Sequence, residues 1–479
     1  MARPNILLLY TDQQRHDTIA SLGNPVIRTP ALDRLVAEGV AFAHATTPCP
    51  VCMPARWSLH TGQYTTTHRC YSNHHPGPRP AFDLPGLLRT AGYRTALVGK
   101  NHSFLQPADL DHWQEHPRPP ESPAAAQRRA WLQAARERNP RLVEEPVPGG
   151  VDLDEERAVT DAGLRFIERC RGEPFFLWLS YLYPHTPYRV PELYFSQYAN
   201  ASIPGPYVEP GGLEAAGKPF RQRFHRDNND ALLPFTSEQV TRMRRVYYGM
   251  VSLIDAEIGR VLQHLEERGL GENTLIIFTS DHGEYMGDHG LFTKSPSLYD
   301  CLVRVPFIVR WPGRVDAGRR DERLASHVDI LPTVAEAAGV PVPAGVQGVS
   351  LLPFLCDGGR GGQIRGAAYS EYGVPGRPYD AARLAAEGLL GRRYTNPWDD
   401  RLPWEGNPIS LAGRIRMVRT HAWKYVEEEG GTCELYDLQS DPHELVNLWR
   451  DPRHAGVQAE LAAQLAAWQA SLPRAREET

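Results

Sequence analysis

Short apolar runs recur along the chain and alternate with longer amphipathic stretches. The runs are Asn5-Ile6-Leu7-Leu8-Leu9-Tyr10, then residues 94–99, 175–180, 273–279 and 305–309. Each is short and continuously apolar, the pattern of a strand buried on both faces. Between them, residues 30–40, 84–91, 154–171, 237–268 and 327–338 read as helices. In the first of these, Leu32, Leu35 and Val36 fall on one stripe and Pro30 suits the opening turn. Gly92 stops the second. Apolar strands alternating with helices predict an α/β fold: a large mixed, mostly parallel sheet sandwiched by helices.

Two stretches break this rhythm. Residues 107–150, rich in Pro, Arg, Glu and Ala, read as an insertion, and residues 199–230 read as loop. Beyond about 362 the pattern changes. Residues 416–419, 423–426 and 433–437 look like short antiparallel strands, and a helix over 457–471 closes the chain. The expected organisation is a catalytic α/β domain over 1–364 and a smaller C-terminal α+β domain over 365–479.

Composition narrows the function classes. A chain of 479 residues is long enough for more than one core. The net charge of −5 is mild, and the arginines are dispersed rather than blocked, so nucleic acid is not an expected partner. No apolar run is long enough to cross a membrane. The first residues lack the apolar core and small-residue cleavage site of a secretion signal, so the expected compartment is the cytoplasm. Seven cysteines, odd in number and scattered, do not form a disulfide framework.

Ligands of open α/β sheets bind beyond the carboxyl ends of the strands. The candidate chemistry is therefore read there. The first strand is followed by Asp12-Gln13, the run at 94 by Lys100-Asn101-His102, and the run at 175 by Pro184-His185-Thr186-Pro187. The run at 273 ends in Ser280-Asp281-His282-Gly283-Glu284, with Lys294 on the loop beyond. Taken singly these are ordinary: an Asp after a strand caps a helix, and a surface lysine is solvated. Four such strand ends in one chain point instead to a single metal-assisted site for an anion. Oxygens of Asp12, Gln13 and Asp281 suit calcium or magnesium. A nitrogen from His282 would admit manganese or zinc, unless His282 stands behind the ligands.

Cys49 and Cys52 are spaced like a metal knuckle, but no second pair accompanies them. A redox pair would need a small βαβ context. Pro54 and Gly62 instead bracket a helix that begins at Cys52. A helix start favours an anion, and Arg56 can reach back to it.

Cys52-Met53-Pro54-Ala55-Arg56, followed by Leu59, Thr61 and Gly62, resembles the sulfatase signature. The similarity extends over nearly the whole chain. It includes residues 5–12, Gly92-Tyr93-Arg94-Thr95 through His102, the histidine between two prolines at 185, residues 280–284 and Lys294. It also includes Leu435-Tyr436-Asp437-Leu438 with Asp441, Pro442 and Glu444. The chain is thus similar to the type I, formylglycine-dependent sulfatases of the alkaline phosphatase superfamily.

That resemblance implies that a separate maturing enzyme oxidises Cys52 to formylglycine. It implies one divalent metal, calcium first and magnesium or manganese as alternatives, on Asp12, Gln13, the modified Cys52, Asp281 and His282. Arg56 would orient the hydrated aldehyde, and Lys100 and Lys294 would neutralise a sulfate. His185 or Lys294 would protonate the leaving alcohol, His102 would take a proton from position 52, and Asn73 would touch the sulfate. Two departures matter. Asp12-Gln13 stands where many sulfatases have paired aspartates and resembles the phosphonate monoester hydrolases and phosphodiesterases. Lys100-x-His102, by contrast, is a sulfatase feature. Sulfate monoester hydrolysis is the expected activity and phosphonate or phosphate diester hydrolysis the alternative. A binding protein that kept only the fold is a third reading, opposed by the completeness of the polar set. Specificity is expected from His74-His75 and from residues 107–150, 221–230 and 394–404.

Overall fold

The computed structural model describes residues 3–138, 142–143, 145–229, 236–375, 381–386, 388, 413–430 and 433–473. The segment 394–404 lies outside them. Eight strands form the main sheet: β1 (Asn5–Thr11), β2 (Val40–Thr46), β3 (Arg94–Gly99), β4 (His112–Glu115), β5 (Phe175–Ser180), β6 (Thr274–Ser280), β7 (Phe307–Arg310) and β8 (Arg319–Ser326). Their order is β4-β3-β5-β1-β6-β7-β2-β8. Only β7 runs antiparallel to its neighbours β6 and β2; the other pairings are parallel.

The central strands β5, β1 and β6 are buried at every residue, which is why they are apolar throughout. Successive side chains alternate between two cores. Leu7, Leu9, Leu177 and Ile276 face α1 (Pro30–Ala37), α5 (Glu155–Arg169) and the long α6 (Ser237–Glu267). Ile6, Leu8, Trp178 and Ile277 face α2 (Cys52–Thr61), α3 (Leu84–Thr90) and α7 (Ile330–Ala338). A further helix, α4 (Pro123–Arg138), lies in the stretch read as an insertion.

The strand pattern misses β2, β4 and β8. The helix expected over 30–40 ends at Ala37, and Gly39 turns the chain into β2. A Cβ on Gly39 would stand 2.3 Å from the Val309 carbonyl oxygen, so the turn must be glycine. Residues 107–150 are more than an inserted loop: they supply the edge strand β4 as well as α4. The other edge, β8, is arginine-rich because one side of it meets water. The loop-like stretch 199–230 contains helices Gly212–Ala215 and Phe220–Asn229.

A second, antiparallel sheet has the order β12-β11-β10-β9, from β9 (Ala368–Tyr372), β10 (Ile415–Arg419), β11 (Trp423–Glu428) and β12 (Cys433–Asp437). The final helix α8 (Ala455–Ser471) covers it through Leu461 and Leu465. This sheet grips the chain leading into α2. Ser370 Oγ donates to the Thr47 carbonyl at 2.6 Å and Glu371 N–H to that of Pro48 at 2.8 Å. Among the described residues, no helix is long and apolar enough to span a membrane.

Candidate active site

Cys52 is the first residue of α2 and is fully buried, with Val51 extended before it. The strand ends converge on its sulfur. Asp12 Oδ1 lies 3.7 Å from Sγ, His282 Nε2 3.3 Å and Lys294 Nζ 3.2 Å. His102 and His185 also lie close enough to Cys52 to act on it. Burial alone would raise the thiol's pKa, but Lys100, Lys294 and His282 outweigh it and hold the thiol well below its ordinary range. Cys49 takes no part: it is buried among apolar side chains, which push its thiol up.

Arg56, one turn into α2, ties the floor together. Its Nη2 donates to Asp12 Oδ2 at 2.9 Å and to Asp281 Oδ2 at 3.0 Å, and its Nη1 to Ser180 Oγ and the Lys100 carbonyl. Lys100 Nζ reaches Asp12 Oδ2 at 2.5 Å. Burial and the nearby Cys52 would raise Asp12; Lys100, His185 and Arg56 reverse this and keep it ionised. Burial and then Asp12 push Asp281 upward.

The Gln13 side chain is held at both ends of its amide. Lys294 Nζ lies 3.0 Å from its Oε1, and its Nε2 donates to Glu284. An ammonium can only donate, so the amide oxygen is the atom turned towards Lys294 and the cluster. His282 Nδ1 is 2.8 Å from the Gly283 carbonyl, which makes Nδ1 the donor and leaves Nε2 free to face Cys52. One oxygen each from Asp12 and Asp281, His282 nitrogen and Cys52 Sγ all lie within 4.8 Å of one another. A buried set of two carboxylates, an oriented amide oxygen and an imidazole nitrogen fits a divalent cation.

His185 sits at the opening, with about a quarter of its side chain (23%) exposed. Its Nδ1 is 2.7 Å from the Thr186 carbonyl and its Nε2 3.3 Å from Lys294 Nζ. Asn73 acts at the start of α2: its Oδ1 accepts the Met53 N–H at 3.0 Å. Three residues in contact with the site were not singled out from sequence. Glu284 orients Gln13, Ser180 accepts from Arg56, and Tyr247 donates to the Gln13 carbonyl at 2.7 Å. Glu284 closes the Ser-Asp-His-Gly-Glu run and Ser180 ends β5, so both had a positional signal; Tyr247, mid-helix in α6, had none.

A family model named Sulfatase matches residues 4–340. The chain belongs to the sulfatase family. An arylsulfatase of Clostridium perfringens is 30% identical over 74% of this chain and 78% of its own. The multifunctional alkaline phosphatase superfamily protein PehA of Trinickia caryophylli is 29% identical over 98% of this chain and 96% of its own. Among solved structures, phosphonate monoester hydrolase of Agrobacterium radiobacter superposes with a TM-score of 0.78. It is 28% identical, over 98% of this chain and 96% of that one. Sulfatase membership makes the chain a hydrolase of the alkaline phosphatase superfamily, in the sulfuric ester class.

Proposed function

We propose that this protein hydrolyses a sulfate monoester at Cys52, oxidised to formylglycine by a separate maturing enzyme. The observation that carries the reading is the gathering of Arg56, Lys100 and Lys294 around two carboxylates and the Cys52 sulfur. The sulfur marks the place of the formylglycine oxygen. Hydrated, that side chain would offer one hydroxyl for attack and a second whose deprotonation expels the product anion. A divalent cation held by Asp12, Gln13, Asp281 and His282 would lower the pKa of the attacking oxygen and polarise the ester. Calcium fits the oxygen donors best, with magnesium or manganese next.

The chain's own groups do the rest. Arg56, hydrogen-bonded to Asp12 and Asp281, fixes both carboxylates and orients position 52. Lys100 and Lys294 neutralise the oxyanion, the electrostatic effect that is usually the largest in such catalysis. His185 and Lys294 are in contact at the open side, where one of them delivers a proton to the departing alcohol. His102, beside position 52, takes the proton that releases the product. Asn73 holds the helix start and lies within one residue of the nucleophile.

A second activity on aryl phosphonate monoesters is supported by Gln13 and His282 at the site and by the similarity to a phosphonate monoester hydrolase. Both ester types present one negative charge to the same cations. Two measurements test the proposal. Protein from its native host should have an intact mass lower by loss of H₂S and gain of oxygen at position 52. It should also turn over an aryl sulfate faster than the matching aryl phosphonate. A faster phosphonate reaction would reverse the assignment of the main activity. A persistent thiol with full sulfatase activity would remove formylglycine from it.

A further inference from the structure

A cavity of about 450 Å³ opens beside the active site, at the carboxyl ends of β3, β4 and β5. It shares Lys100 and Ser180 with the catalytic cluster as one wall. The opposite wall comes from the segment 107–150, through His116 and Arg118 after β4 and Arg129 and Arg136 on α4. Arg189 closes it from below.

The charge around this space is unbalanced. Among the described residues, Glu155 and Glu156 are the carboxylates in its lining. Glu156 is taken up by the backbone N–H groups of Leu182 and Tyr183, at 3.2 Å each. Glu155 lies 3.6 Å from Arg189 and 3.9 Å from Arg128. Arg129 pairs with Glu121 outside the cavity. Arg118 and Arg136 have no ion pair or hydrogen bond among the described residues. Desolvation and then the nearby Arg189 depress Arg136 from its ordinary range, against a smaller opposing pull from Glu155. Isolated surface arginines are ordinary. Two guanidiniums without an ion pair among the described residues line one concavity that abuts Lys100, and their planar forks match sulfate and carboxylate oxygens.

We propose that this cavity receives a second anionic substituent of the substrate, so that the enzyme selects sulfate esters carrying a further sulfate or carboxylate. The inference rests on the sulfatase reading above and gives the segment 107–150 the task of specificity. Two sugars that differ by one anion at the amide nitrogen test it: N-acetylglucosamine-6-O-sulfate and glucosamine-2-N,6-O-disulfate. 4-Nitrophenyl sulfate reports the basal reaction. The wild-type enzyme should show the higher kcat/KM on the disulfate. Arg118→Ala with Arg136→Ala should remove that preference, a loss of at least about tenfold for a charge-assisted pair, and leave 4-nitrophenyl sulfate turnover unchanged. Arg136→Lys should keep most of the preference, and Arg136→Gln alone gives the same reading if the double variant misfolds. Equal rates of the wild type on the two sugars, or an equal loss on all three esters, would overturn the proposal. Inactivity of the wild type on all three would instead bring down the sulfatase reading, and this inference with it.

Discussion

At Gln13 the backbone takes φ 69°, a conformation uncommon for any residue but glycine. It is held there by Asp281 Oδ1, which accepts the Gln13 N–H at 2.9 Å, and by the Tyr247 hydroxyl on the carbonyl. Strain of this kind persists only where neighbours over-determine it, which is common at active sites. The side chain is fixed as firmly, through Lys294 on one atom and Glu284 on the other. Glu284 therefore orients Gln13, which is proposed above to hold the metal. Groups of this kind typically control metal affinity by about 10–100-fold. Glu284→Ala should weaken calcium or manganese binding by that order in a calorimetric titration, with the melting temperature little changed. Unaltered affinity would remove Glu284 from the site's support.

At the scale of elements, two helix and strand ends decide where the chemistry sits. Gly99 ends β3 at φ 106°, and a Cβ there would lie 1.9 Å from the Ser180 carbonyl oxygen. Only glycine lets β3 and β5 run together up to the residue before Lys100. Gly99→Ala should lower unfolding free energy by about 1–3 kcal/mol, the range for a forced backbone, and reduce kcat/KM with it. If stability and activity both survive, the close approach is not needed to place Lys100. The start of α1 is capped from another helix: Asp255 in α6 accepts the Ala31 and Leu32 N–H groups at 3.1 and 2.8 Å. Burial raises this carboxyl from its ordinary 3.8 to about 7. A raised carboxyl prefers its protonated form in the folded protein. Its contribution is therefore fully present below 3.8 and is lost as pH rises through about 7. Melting temperature followed over that interval should fall less steeply in Asp255→Asn than in the wild type; parallel curves would contradict it. These tertiary constraints carry no periodic signal. The continuous apolar runs of β1, β5 and β6 do, because both their faces are buried. The short edge strand β4 and the charged edge strand β8 do not, because one side of each is wet.

Across the whole molecule, buried charge ties the helix Phe220–Asn229 to the second sheet. Arg221, from the helix Phe220–Asn229, is fully buried and donates to Glu428 at 2.5 Å and to Glu434, on β11 and β12. Removing one partner of a buried pair strands the other. Arg221→Ala should cost about 3–5 kcal/mol in urea unfolding, and a loss under about 1 kcal/mol would mean the carboxylates find water or protons instead. The sequence by itself determined the class of fold, the strand ends that carry polar groups and the helix that starts at Cys52. These depend on local periodicity, on proline and glycine, and on motif spacing, all of which survive in one dimension. Tertiary structure alone decided that Glu284 turns Gln13, that Tyr247 holds its carbonyl, and that residues 107–150 form an edge strand and a basic wall beside Lys100. Those facts arise from contacts between residues far apart in the chain, and no local pattern records them.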